Sequence, residues 1–161
     1  MKIDLLRSLG LEGLLLDLDC TLKDYHANRF HQDVVDWVTG LKSSGIALCL
    51  LSNAKPSRIE PFARALQIPF VAKALKPSTI GCHVAVQKLR LKREQTGLIG
   101  DQIFSDVLAG RLAGLFTILV QPTSSEEPWF TRVKRPLERQ VLRWINRSTK
   151  RPDLELPPIN K

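Results

Sequence analysis

Asp17 and Asp19 leave a run of leucines two residues apart, in the order Asp17-Leu18-Asp19-Cys20-Thr21. Two carboxylates at the end of an apolar strand are costly to bury without partners, and a bound cation removes their repulsion. Three further polar clusters follow: Ser52-Asn53, Lys76-Pro77, and Gly100-Asp101 with Asp106. Asp101 can complete an oxygen site suited to Mg²⁺, with water in the remaining positions. The hydroxyl of Ser52 and the ammonium of Lys76 then supply donors for an anion held beside that metal. Carboxylates, Mg²⁺, a hydroxyl and an ammonium at one place make a phosphoryl-transfer site. Each cluster alone has an ordinary reading. Asp-x-Asp serves as a turn, Ser-Asn as a cap, and an acidic residue suits a helix start. All four in this order, each after an apolar stretch, point to chemistry.

Such a site needs strands that end at one edge. Apolar runs at residues 13–18, 46–51, 68–72, 96–100 and 115–120 read as strands. Between them, Phe30, Val34, Trp37, Val38 and Leu41 recur at helical spacing, Pro56 opens a second helix, Pro77 and Ser78 a third, and residues 103–113 form a fourth. Alternating strands and helices predict a three-layer α/β fold with a Rossmann-like parallel sheet. Every polar cluster then falls at a carboxyl end of a strand, where open α/β sheets bind ligands. Thirty residues separate Thr21 from Ser52 and 22 separate Asn53 from Lys76. Neither interval has room for a lid domain, so the expected site is open to a phosphate on something large.

The order D-x-D-x-T, S-N, K-P, G-D-x-x-x-x-D resembles the haloacid dehalogenase superfamily of phosphatases, over roughly residues 13–120. The stretch 100–110 with Thr117-Ile118-Leu119-Val120 is similar to the YqeG branch of subfamily III, related to the mitochondrial phosphatidylglycerophosphate phosphatases. Two departures are Cys20, where that branch usually carries Asn, and Arg111-Leu112-Ala113, where it more often reads Asn-Arg-Leu. The resemblance implies that Asp17 is the nucleophile and a metal ligand. It implies that Asp19 gives its backbone carbonyl to Mg²⁺ and uses its side chain as general acid, then base. By the same resemblance Thr21, Ser52 and Asn53 would hold phosphoryl oxygens, and Lys76 would neutralise developing charge. The resemblance further implies that Asp101 ligates the metal and that Asp106 supports it or orients Lys76. Elementary chemistry agrees: a carboxylate nucleophile splits a hard hydrolysis into two steps, and a second carboxyl serves the leaving group and then water.

The 161 residues, 25% charged and 43% hydrophobic, suit one ordinary globular domain. Three scattered cysteines argue against a disulfide framework or a thiolate metal site. The N-terminus lacks the apolar core of a secretory signal, so the expected place is the cytoplasm. A phosphatase domain is expected over residues 1–150 and a Pro-rich tail over 151–161. Residues 131–151 hold eight cations against Glu138 alone, so this segment carries +7 of the net +8. A helix over 136–148 would place Leu137, Val141, Trp144 and Ile145 on one face, opposite Arg135, Arg139, Arg143 and Arg147. A basic amphipathic helix of this kind suits an anionic membrane surface, as a peripheral attachment to the inner face. Nucleic acid is not the expected partner, because few aromatics interleave with the charges. The expected activity is Mg²⁺-dependent hydrolysis of phosphatidylglycerophosphate. The alternatives are a phosphatase of soluble sugar, nucleotide or nucleic-acid phosphates, and a non-catalytic scaffold that binds anionic surfaces.

Overall fold

Leu14, Leu15 and Leu16 have no solvent exposure on either side of their strand. A continuous apolar run of this kind belongs in the middle of a parallel sheet covered on both faces. The structure, a computed structural model, describes residues 3–123 and places β1 (Gly13–Leu16) at that central position. β2 (Ala47–Leu51) and β4 (Thr96–Gly100) flank it, in parallel, with Leu15 opposite Cys49 on one side and Leu98 on the other. β3 (Phe70–Val71) pairs outside β2, and β5 (Phe116–Leu119) outside β4, giving the order β3-β2-β1-β4-β5.

The pleat sorts the leucines into two cores. Leu14, Leu16, Leu48, Leu50 and Ile99 face one side, against α1 (Ile3–Ser8), α2 (Gln32–Ser43) and α3 (Pro56–Leu66). Ile59, Ala63 and Leu66 supply the buried stripe of α3, at spacings of four and three. Leu15, Cys49, Leu51 and Leu98 face the other side, against α4 (Ile80–Leu89) and α5 (Leu108–Leu112). Burial pushes the thiols of Cys49 and Cys82 up to about 12 and about 11, so both remain protonated packing groups.

The expected three-layer parallel fold is thus present, and no inserted lid domain lies among the described residues. Its details differ from the sequence expectation in three places. α1 precedes the first strand and buries Leu6. The third helix begins at Ile80 rather than at Pro77. Residues 103–113 are not one α-helix: they open with a wide π turn, Ile103–Val107, and only then become α5. The expected basic helix at 136–148 and the tail at 151–161 lie outside the described residues. No described helix is long and apolar enough to cross a membrane.

Candidate active site

The strand order reverses between β1 and β4, since the chain fills one side with β2 and β3 before crossing to β4 and β5. At such a switch point the connections diverge and leave a crevice at the carboxyl edge. Asp17 follows β1 there, and Asp101 follows β4. Thr21 sits between them: its hydroxyl lies 3.2 Å from Asp17 Oδ2 and 3.0 Å from Asp101 Oδ1. A hydroxyl has a single proton, so it serves one carboxylate at a time.

Asp106 arrives by way of the wide turn. The amides of Asp106 and Val107 both donate to the Gln102 carbonyl, and the Gln102 amide donates back to Asp106 Oδ2 at 3.0 Å. This folds Asp106 against Gly100, where a Cβ would collide with its carboxylate. Glycine at position 100 is required by that approach. Oxygens of Asp17, Asp101 and Asp106 lie within 4.8 Å of one another.

Lys76 is the cation in their midst. Its ammonium donates to Asp17 Oδ1 and Asp106 Oδ1, each at 2.5 Å, and to the Leu51 carbonyl at 3.1 Å. The loop that carries it is clasped by Asn53, whose side chain donates to the Lys76 carbonyl at 3.0 Å and accepts from the Lys76 amide at 2.8 Å. Ser52 is buried, and its Oγ accepts the Ala54 amide at 3.1 Å.

Three buried carboxylates therefore face one buried ammonium. Lys76 is held charged, because Asp106 and Asp17 outweigh the burial that opposes its charge. Asp17 is pushed towards its neutral form, up to about 7 from 3.8, by burial above all and by Asp106, despite the nearby ammonium. The two shifts are consistent with one excess: the cluster has more negative charge than Lys76 can offset. An all-oxygen, carboxylate-rich donor set with surplus negative charge fits a hard divalent cation.

Asp19 does not join this cluster with its side chain. Its carboxylate turns to Lys23, 2.9 Å away and itself buried, and to Arg58 in the first turn of α3. Neither cation stood out in the sequence. Lys23 is one charge in the flap, the connection over residues 17–31 between β1 and α2, and Arg58 precedes the apolar stripe of an amphipathic helix. Four-residue spacing from Asp19 to Lys23 was the only signal. The same stretch bears on a sequence departure. Cys20 adopts φ 63, a left-handed conformation in which Asn is several-fold enriched. This gives a physical reason for the Asn usual at that place.

A family model described as HAD-hydrolase-like matches residues 74–137. The protein named "Probable phosphatase YqeG" of Bacillus subtilis is 35% identical over 142 residues, 88% of this chain and 83% of that protein. The chain belongs to the haloacid dehalogenase-like hydrolases. Its place in that superfamily is with the YqeG-like phosphatases. "Phosphatidylglycerophosphate phosphatase 1, chloroplastic" of Chlamydomonas reinhardtii is 29% identical over 95% of this chain, which spans 61% of that relative. Among solved structures, NagD of E. coli superposes with TM-score 0.60 at 15% identity, covering 74% of this chain and 93% of NagD. The cobalt-bound deoxy-D-mannose-octulosonate 8-phosphate phosphatase of Haemophilus influenzae gives 0.58 at 20% identity, covering 79% of this chain and 75% of that one. At these identities the structural likeness speaks for the haloacid dehalogenase fold alone.

Proposed function

We propose that this haloacid dehalogenase-like phosphatase is a Mg²⁺-dependent phosphomonoesterase that works through an aspartyl-phosphate on Asp17, with phosphatidylglycerophosphate as substrate and phosphatidylglycerol as product. The observation that carries the chemical reading is the buried cluster of Asp17, Asp101 and Asp106 at the switch point, with Lys76 paired to Asp17 and Asp106.

A carboxylate oxygen of Asp17 forms the new bond to phosphorus as the ester P–O bond breaks. Asp19 gives a proton to the departing alkoxide oxygen. It then takes a proton from the water that attacks the phosphoryl-Asp17, and inorganic phosphate leaves with the Asp17 carboxylate restored. Lys76 balances the charge that gathers on the phosphoryl oxygens, Thr21 and Ser52 line the place where those oxygens sit, and Asn53 fixes the Lys76 loop beside them. Asp106 keeps Lys76 in position, the role its 2.5 Å contact suits. Mg²⁺ would be held by Asp17 and Asp101, with the Asp19 carbonyl that the family resemblance adds, and it supplies positive charge against the phosphoryl group.

The lipid reading draws on the phosphatidylglycerophosphate phosphatase relative and on the surface beside the site. Leu75, next to Lys76, is 64% exposed, and Ile80 is 62% exposed, so apolar side chains border the Lys76 loop. The basic segment 131–151 would add attraction to an anionic bilayer. The test is a panel of phosphatidylglycerophosphate in mixed micelles, glycerol 3-phosphate, sugar phosphates and nucleotides, each with and without Mg²⁺. The lipid should far exceed the rest in kcat/KM, and chelation should stop turnover. Equal or better kcat/KM on a soluble monoester would overturn the lipid assignment. Substantial activity in folded Asp17→Asn would overturn the aspartyl-phosphate.

A further inference from the structure

We propose that Arg58 is a positioning residue for proton transfer: it holds the Asp19 carboxylate and the flap in one fixed arrangement, so that Asp19 Oδ2 is the oxygen that exchanges the proton. This rests on the reading of Asp19 as the acid and goes beyond it.

Arg58 stands at the third residue of α3, which begins just after Ser52-Asn53. Its Nη2 donates to Asp19 Oδ1 at 2.9 Å, and its Nε to Oδ2 at 3.2 Å. Nη2 also donates to the Tyr25 carbonyl at 2.6 Å, and the guanidinium lies 4.5 Å from the Tyr25 ring centroid. One side chain thus ties helix, acid and flap together. Lys23 closes the arrangement from inside, 2.9 Å from Asp19 Oδ1 and bonded to the carbonyls of Asp24 and Tyr25 at 2.9 and 3.1 Å. Its side chain is 1% exposed and lies 4.9 Å over the Phe62 ring.

The two oxygens of Asp19 are not equivalent. Oδ1 accepts from Arg58 Nη2 and pairs with the Lys23 ammonium, each at 2.9 Å, while among the described residues Oδ2 accepts the longer bond from Arg58 Nε alone. Oδ1 is therefore the anchor, and Oδ2 keeps lone-pair capacity for a proton. A planar guanidinium fixes the plane of a carboxylate through two nitrogens, which an ammonium cannot do. A misplacement of ~1 Å costs on the order of 10²-fold in rate.

Leaving-group chemistry separates this role from a merely structural one. In the first step the ester bond to phosphorus breaks, and the departing oxygen takes its proton from Asp19 Oδ2. An alkoxide needs that proton; p-nitrophenolate leaves without it. The experiment measures kcat/KM, which reports the transfer to Asp17, on p-nitrophenyl phosphate and on an alkyl monoester. Glycerol 3-phosphate serves, or dihexanoyl phosphatidylglycerophosphate where wild type prefers it. Arg58→Ala should lose on the order of 10–100-fold on the alkyl ester, within the range of a general-acid contribution, and little on the nitrophenyl ester. Added guanidinium should restore part of the alkyl activity. Arg58→Lys should show the same asymmetry at smaller size, and it serves where the alanine variant folds poorly. Equal losses on both esters, or wild-type activity of both variants on the alkyl ester, would overturn the proposal. Asp19→Asn keeps the two failures apart. If it lowers both esters equally, the acid assignment itself is wrong. If it is asymmetric while the Arg58 variants are not, only the positioning role falls.

Discussion

Replacing Asp17 by Asn should stabilise the metal-free protein at neutral and alkaline pH while ending its chemistry. The native carboxyl titrates at about 7, against 3.8 ordinarily, chiefly because it is buried and beside Asp106. Between those values the folded chain keeps a proton that the unfolded chain has released. The carboxyl thus favours the fold most below about pH 4, and that contribution is lost as pH rises to about 7. At about 1.4 kcal/mol per tenfold change in proton affinity, the ionised carboxylate costs roughly 4 kcal/mol at pH 8. Asparagine cannot ionise, but its amide must find partners in the same place, a cost of about 1–3 kcal/mol. The variant should gain about 1–3 kcal/mol at pH 8 in chelator, a few degrees to about 10 °C in melting temperature. The assay is urea unfolding of both proteins from pH 4 to 8 in EDTA. Wild type should lose stability across that range relative to the variant, and millimolar Mg²⁺ should then raise wild type by more, since binding to the folded state adds stability. If metal-free wild type equals or exceeds the variant at pH 8, the Asp17–Lys76 ion pair outweighs burial and the reasoning is wrong.

Asp101→Asn should chiefly raise the Mg²⁺ concentration needed for half-maximal activity, read from a metal titration, because it removes a ligand charge and leaves Asp17 and Lys76 in place. Gly100→Ala should destabilise the fold by more than ~1 kcal/mol and impair turnover, since the new methyl meets the Asp106 carboxylate that Lys76 and the Gln102 amide hold in place; unaltered unfolding and kcat would contradict that packing. Changing Arg139, Arg143 and Arg147 to Gln should weaken sedimentation with phosphatidylglycerol vesicles by about two orders of magnitude at low salt, at ~1 kcal/mol per charge, and equal sedimentation of the two proteins would remove the membrane role of that segment.

What was legible in the sequence was whatever depends on local apolar pattern. A strand buried on both faces must be uniformly apolar, so Leu14 to Leu16 and the run through Ile99 announced themselves, and with them the parallel sheet and the edge that carries Asp17 and Asp101. What was not legible depends on pairing across the fold. The wide turn at Ile103–Val107 has a helix-like sequence, and only the return of Asp106 to the Gln102 amide distinguishes it. Arg58 reads as the polar start of an amphipathic helix until the flap is seen to lie over it. Asn53, expected at the phosphate, is turned to the backbone of Lys76. Short polar side chains satisfy whichever backbone group the fold brings near, and sequence does not name that group.

The strand order also sets the sequence in which the cluster can come together. β1, β2 and β3 are contiguous in the chain and lie side by side, and the loop after β3 brings Lys76 to Asp17 across 59 residues. Up to that point one carboxylate meets one ammonium, and the charges balance. Asp101 and Asp106 enter only when β4 closes on β1, as the contact of Thr21 with Asp101 across 80 residues records. That closure carries the largest loop entropy and all of the surplus negative charge at once. A nascent chain should therefore hold the first three strands before it can gather a cation, and a divalent ion should act on the last addition of the sheet rather than on its beginning.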